Sequence, residues 1–122
     1  MVAKLDIHGV HFELDDNIKK YLTKKINRLE RYVASENRAS LHAEFYLKES
    51  KAKQGKLCEC EAVLHLPKET IRIKETTINM YAAVDIVEEK LRQALKKYKD
   101  LHNRGRKVRH LLARVRFESQ NN

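Results

Sequence analysis

The sequence predicts an α+β domain, in which a four-stranded mixed sheet carries two helices packed on one face in the order β-α-β-β-β-α. Two patterns support this prediction. In four segments apolar and polar residues alternate, as they do in a strand with one buried face. In two longer segments apolar residues recur every three or four positions, which is the period of an amphipathic helix. Two helices on one face would bury every apolar surface and leave the other sheet face polar.

The first strand and the first helix are predicted at residues 2–9 and 16–33. In the strand, Leu5 and Ile7 share the apolar face. Asp15 is a suitable N-cap for the helix, because its carboxylate can accept a backbone N–H of the first turn. The predicted buried stripe of the helix consists of Ile18, Leu22, Ile26, Leu29 and Val33.

Three more strands are predicted at residues 39–48, 58–66 and 69–75, and they would form an antiparallel meander. Residues 49–56 are polar and predict a hairpin loop, and Pro67 separates the last two strands. Cys58 and Cys60 fall on the apolar face of their strand. We therefore interpret them as buried thiols and not as metal ligands, since a free cysteine behaves as a small hydrophobic residue.

The second helix is predicted to begin near residue 79, with Thr77 or Asn79 as N-cap, and to end before Gly105. Its buried stripe consists of Met80, Val84, Val87, Leu91, Leu95 and Tyr98. This gives a folded domain at residues 1–104 and a basic tail at residues 105–122 that we expect to be flexible. The alternative of further helix stays open, because Val108, Leu111 and Leu112 have helical spacing.

The positive charge is concentrated near the C-terminus. The formal net charge of the chain is +9. Residues 90–116 contain eleven Lys or Arg and one acid, Asp100, so this stretch carries +10 and the remainder carries −1. Clustered positive charge is typical of a protein that binds a polyanion such as RNA, DNA or an anionic membrane surface.

Several classes of function are not predicted. The chain has three glycines, too few and too scattered for a phosphate-binding loop, and no residue pattern indicates an enzyme, a cofactor or a small-molecule substrate. Among the histidines only His8 and His11 are close, and no cysteine joins them at a zinc spacing, so no metal site is predicted. No apolar run approaches the ~20 residues of a membrane span, and a cytoplasmic protein is expected.

Rows of basic residues lie along both helices. Residues three or four positions apart share a helix face. Lys24, Arg28 and Arg31 form one such row on the first helix, while Lys90 and Lys97 form another on the second. If the helices pack side by side, these rows would border one basic surface suited to a phosphate backbone.

The second helix resembles that of the ribosome hibernation promoting factor and ribosome-associated inhibitor A family. It carries Asn-Met-Tyr-Ala-Ala-Val-Asp at residues 79–85, followed by Lys90, Leu91, Leu95 and Lys97. The first helix is similar as well, with Leu-Glu-Arg-Tyr at residues 29–32. The resemblance covers about residues 2–104 and includes the strand order.

The resemblance implies a factor that binds the small ribosomal subunit or the 70S ribosome, contacts 16S rRNA in the channel for messenger and transfer RNA, and blocks translation sterically. It also implies a protein that is monomeric off the ribosome. Matched to the family motifs, the expected rRNA contacts are Lys25, Arg28, Lys90 and Lys97. Charge placement alone adds Lys24, Arg92, Lys96, Arg104, Arg106 and Lys107.

Two positions depart from the family pattern. Asn79 stands where the family usually has Asp, and Gln93 stands where it often has an Arg that contacts RNA. The longer members carry a second, ribosome-dimerising domain, so the chain resembles a short form or the first domain of a long one. The alternative functions are a general double-stranded RNA binder and a regulatory module that modulates a sigma factor.

Overall fold

The computed structural model describes residues 4–53 and 55–114, and for residue 36 and residues 102–114 it describes the backbone alone. The elements in chain order are β1 (Lys4–Val10), α1 (Asp16–Asn27), a 3₁₀ segment (Arg28–Tyr32), the single turn α2 (Ser35–Arg38), β2 (His42–Ala52), β3 (Gly55–Leu66), β4 (Glu69–Thr77) and α3 (Met80–Arg114). The predicted β-α-β-β-β-α order of the α+β fold is confirmed, with α2 as a short addition.

The four strands form one mixed sheet in the order β1-β2-β3-β4. β1 pairs with β2 in parallel, with Lys4 opposite His42, whereas β2 with β3 and β3 with β4 pair antiparallel. The parallel pair is connected through α1, because parallel neighbours need a crossover and cannot be joined by a hairpin.

One hydrophobic core lies between the sheet and the helices α1 and α3. It contains the predicted stripes of both helices and the apolar faces of β2 and β3, among them Phe45, Leu47 and Cys60. Both cysteines are buried free thiols, as predicted. β1 contributes partly buried side chains only, with Leu5 and Ile7 packed against the core.

The N-terminus of α1 follows the prediction. Asp15 is the N-cap, and its Oδ1 accepts the backbone N–H of Ile18 at 2.8 Å. The predicted helix at 16–33 consists of α1 followed directly by the 3₁₀ segment, and Val33 is already extended. Such an ending is common where a helix leaves its final carbonyl groups without intrahelical partners.

The end of α3 corrects the sequence prediction. Asn79 caps the helix, as expected, and its Oδ1 accepts the backbone N–H of Tyr81 at 2.8 Å. The helix does not end before Gly105 but continues to Arg114. A glycine inside a helix costs only about 1 kcal/mol relative to alanine, and strong helix formers surround this one. Residues 115–122 of the predicted tail lie outside the described residues.

The hairpin between β2 and β3 is tighter than predicted. The strands extend to Ala52 and resume at Gly55, so most of the polar segment 49–56 belongs to the sheet. Gly55 has a φ of +94°, a conformation that glycine adopts without steric cost. β2 begins at His42, three residues after its predicted start at residue 39, because Ala39 forms the end of α2.

Candidate nucleic-acid interface

α1 and α3 lie on the same face of the sheet and contact each other along their sides. A cluster of side chains joins them at this contact. Lys25 Nζ of α1 lies 3.2 Å from Asp85 Oδ1 of α3, and the Tyr21 hydroxyl donates a hydrogen bond to the same carboxylate. The ring of Tyr21 also meets Tyr81 edge-on, with ring centroids 5.0 Å apart. Lys25, a predicted RNA contact, therefore takes part in the helix–helix contact.

The charge of Asp85 changes the titration of both partners. Its hydrogen bonds raise the pKa of Lys25 and the pKa of Tyr21 above their usual values. The ammonium of Lys25 also lies 5.4 Å from the centre of the Tyr21 ring. Its positive charge is thus largely balanced within the protein.

Arg92 and Lys96 lie on the side of α3 that faces the 3₁₀ segment. Arg92 makes a two-pronged ion pair with Glu89 one turn earlier, in which its Nε lies 3.0 Å from Oε2. Lys96 Nζ lies 5.7 Å from the centre of the Tyr32 ring. Arg31 donates a hydrogen bond to the Tyr32 hydroxyl at 2.9 Å and, with Arg92, lowers the pKa of Tyr32.

Gln93 contacts the same carboxylate as Arg92, that of Glu89. Its side-chain amide donates a hydrogen bond to Glu89 Oε1 at 3.3 Å, and the residue is exposed. Gln93, one of the two residues that depart from the family pattern, therefore lies next to the Arg92–Glu89 pair.

Lys90 lies on the opposite side of α3. It forms an ion pair with Glu75 of β4, which is the edge strand under the far side of the helix. Lys97, seven residues later, falls on the same line of the helix and is exposed. The two rows predicted to border one surface are therefore separated, because the row of Lys90 and Lys97 follows β4 while the other row is on α1.

The outward cations of α1 and of the 3₁₀ segment that follows it form an open basic surface, which we call the α1 basic surface. Lys24 and Arg28 are exposed, and they line an open concave region with neighbouring polar side chains. A second concave region adjoins it at Arg28, Arg31 and Arg38. In the described part of the chain, Lys24, Arg28 and Lys97 form no ion pair with an acid.

Arg38 also belongs to this surface, and no pattern in the sequence singles it out. Its Nε donates hydrogen bonds to the carbonyl oxygens of Glu30 and Val33, both at 3.1 Å. These bonds satisfy carbonyl groups at the end of the 3₁₀ segment and hold the guanidinium beside Arg31 and Arg28. Its sequence signal is weak, because it is simply the last residue of the polar segment Ser35–Arg38.

Three of the predicted RNA contacts lie further along α3. Arg104, Arg106 and Lys107 are on the helical backbone, but their side chains lie outside the described ones. In the helices described, no segment has both the length and the apolar character needed to cross a membrane.

Comparison with known proteins identifies the family. The profile of the family described as sigma 54 modulation protein / S30EA ribosomal protein matches residues 5–103. The chain belongs to this family. The profile covers every strand, α1 and most of α3, so it includes both basic helices.

Individual members of the S30EA family show similar sequences and folds. The chain is 33% identical over 103 residues to a ribosome hibernation promotion factor of Lactococcus lactis and 29% identical over 103 residues to one of Staphylococcus aureus, matching 84% of this chain in each case. It spans about half the length of these relatives, 53% and 52%.

Two solved structures show a similar fold. The N-terminal domain of Thermus thermophilus Protein Y superposes with a TM-score of 0.66 at 30% identity, over 76% of this chain and 94% of that chain. A ribosomal subunit interface protein from Coxiella burnetii superposes with a TM-score of 0.63 at 22% identity, over 80% of this chain and 98% of that chain, and shows the same fold.

Proposed function

We propose that this protein binds the small ribosomal subunit through the outward cations of α1 and α3, and inhibits translation by occupying the channel used by messenger and transfer RNA. The observation that carries the proposal is the α1 basic surface, where Lys24 and Arg28 face solvent without an acid partner in the described chain. Family membership and the names of the relatives point to the ribosome as the polyanion.

We rank the predicted rRNA contacts with described side chains by whether a carboxylate of the protein already pairs with them. Lys25, Lys90 and Arg92 are each paired with a carboxylate, so an RNA phosphate would have to compete with that acid. Lys24, Arg28 and Lys97 have no such competitor in the described part of the chain. We therefore propose that these three supply most of the phosphate contacts, since counterion release depends on cations that are free to approach the backbone.

The remaining predicted contacts extend this surface. Lys96 is exposed beside Tyr32 and close to the α1 side of α3. Arg104, Arg106 and Lys107 continue along the same helix, which we propose reaches further along the RNA than the core of the domain does. At 1.5 Å per residue, the helix from residue 99 to residue 114 adds about 24 Å.

The proposed mechanism is steric and breaks no covalent bond. A domain that lies over rRNA in the channel excludes ligands that need the same space, and no catalytic group is required. Recognition would depend on backbone shape more than on sequence, because structured RNA presents phosphates and 2′-hydroxyls before base edges. A cytoplasmic location and a role in ribosome hibernation belong to the same proposal.

Sedimentation with purified small subunits tests the proposal. The double variant Lys24→Glu/Arg28→Glu should lose co-sedimentation at moderate salt. The matched control is Lys51→Glu/Lys53→Glu, which makes the same change of charge at two exposed residues of the β2–β3 hairpin. The control should bind like the unmodified protein. Equal loss of co-sedimentation in both variants would show that net charge alone drives binding, and it would refute the α1 basic surface as the binding site.

Competition separates the proposed channel from the alternatives. Initiator transfer RNA should displace the protein from the small subunit if both occupy the channel. Equal affinity for an unrelated RNA duplex would instead favour a general double-stranded RNA binder. Absence of any ribosome binding, together with binding to a sigma factor, would favour the regulatory module.

A further inference from the structure

The sheet face opposite the helices carries a row of polar side chains that the proposed RNA surface does not use. Residues directly opposite each other in neighbouring strands point to the same face. Asp6 of β1 lies opposite Glu44 of β2, and His42 of β2 lies opposite His65 of β3. His42 and Glu44 are two residues apart in one strand, so all four side chains share this outer face.

These four side chains converge on a small region. One ligand atom from each of Asp6, His42 and Glu44 lies within 4.8 Å of the other two. His42 Nε2 is 2.9 Å from Asp6 Oδ2, and His65 Nε2 is 2.7 Å from Glu44 Oε2. The two imidazole rings stack with their centroids 5.0 Å apart.

We propose that Asp6, His42 and Glu44 form a binding site for a divalent transition-metal ion of the zinc type. One imidazole nitrogen and two carboxylate oxygens are ligands that zinc accepts at about 2.0–2.2 Å. Around a tetrahedral ion of that radius, neighbouring ligand atoms are about 3.4 Å apart. His42 Nε2 and Asp6 Oδ2 are 2.9 Å apart, and all three ligand atoms lie within 4.8 Å of one another, so side-chain rotations would bring them to the ion.

His65 serves the site by positioning a ligand. Its imidazole holds the Glu44 carboxylate from one side, while the Tyr46 hydroxyl donates a hydrogen bond to Glu44 Oε1 at 3.3 Å from the other. A carboxylate oxygen has further lone pairs, so these bonds leave Glu44 able to bind an ion. Partners of this kind orient metal ligands in proteins, and their loss commonly lowers metal affinity 10- to 100-fold.

The surroundings suit a cation. Asp6 and Glu44 each offer a carboxylate oxygen, which brings negative charge to the ion. The four side chains of the cluster are 24–41% exposed, so the site is open to solvent. All four stand on paired strands, and rigid elements hold ligand geometry better than loops do.

Zinc titration of the metal-free full chain tests the site. Isothermal titration with ZnCl₂ should give one equivalent of bound zinc. His42→Gln should lower the affinity at least 100-fold, and His65→Gln should lower it 10- to 100-fold, as expected for a positioning residue. The control is His11→Gln, which removes an exposed imidazole just after the end of β1 and should leave the affinity unchanged.

A second variant and a second readout guard against loss of folding. Asp6→Asn keeps the size of the side chain, and it should also lower zinc affinity while the thermal midpoint stays close to that of the unmodified protein. Histidine ring signals in NMR should shift on zinc addition at His42 and not at His11. Absence of zinc binding, or unchanged affinity in both His42→Gln and Asp6→Asn, would show that the cluster forms ion pairs only and would overturn the proposal. Ribosome co-sedimentation should not change in these variants, because the face is opposite the helices.

Discussion

The distinction between free and paired cations on the two helices leads to a quantitative prediction about salt. Two triple alanine variants remove the same charge from the same helices. One replaces Lys24, Arg28 and Lys97, which face solvent without an acid partner in the described chain. The other replaces the three ion-paired cations, Lys25, Lys90 and Arg92.

The expected effect follows from counterion release. Each phosphate contact by a cation contributes about 0.7–0.9 to the slope of log K against log salt concentration. Removing three contacts should make the slope shallower by about two to three. Over a fourfold change of salt, from about 50 to 200 mM, the unmodified protein should therefore lose roughly 20- to 40-fold more affinity than the first variant does.

The second variant should change the slope by much less, because its cations are already balanced by Asp85, Glu75 and Glu89. Exposed ion pairs contribute about 0–1 kcal/mol each to stability, so the variant should remain folded. The assay is the Kd of a labelled small subunit for each protein at several KCl concentrations and constant Mg²⁺, with thermal melts as the folding control. Equal slopes for the two variants, or a larger change in the second, would refute the distinction between free and paired cations.

Three further predictions concern the scaffold of the site. Asn79→Ala should lower the free energy of unfolding by about 1 kcal/mol in urea titrations, while Asn79→Asp should retain stability; no loss in the alanine variant would contradict the observed N-cap. Burial raises the pKa of Cys60 to about 12, so iodoacetamide at pH 8 should modify Cys60 only after denaturation, as mass spectrometry of native and unfolded samples can show. Because Asp85 raises the pKa values of Lys25 and Tyr21, the stability that it supplies should be fully present below about pH 10 and lost as the pH rises further. Asp85→Asn should flatten this alkaline part of the stability profile, and an unchanged profile in thermal melts from pH 7 to 11 would count against the cluster.

The elements of this fold were readable from the sequence because their hydrophobic periods are unambiguous. Alternation defined the strands, and the apolar stripes predicted the residues that α1 and α3 bury in the core. The N-cap of α1 was predicted correctly, and that of α3 was one of two candidates, Thr77 and Asn79, since capping depends on a local side chain. The end of α3 was placed wrongly at Gly105, because one glycine is a weak signal when helix formers follow it.

Contacts between distant residues were not accessible in the same way. The pairing of Lys25 with Asp85, and of Lys90 with Glu75, depends on how α3 is rotated over the sheet. Spacing along the chain likewise does not group Asp6 with His42, because strand register brings together residues that are far apart in sequence. Periodicity identifies the face of an element but not the residue that lies opposite.

The parallel pairing of β1 also determines how the sheet should open. β2, β3 and β4 are joined by tight connections, whereas β1 is joined to β2 through a long crossover and none of its described residues is fully buried. Such a strand should form late and detach first, so its amides should exchange with deuterium at a lower opening free energy than those of β2. Detachment would expose the edge of β2, whose alternating Ala43, Phe45 and Leu47 make it prone to pair with another chain. β1 therefore protects the sheet against self-association, and substitutions that weaken it should promote aggregation before they unfold the domain.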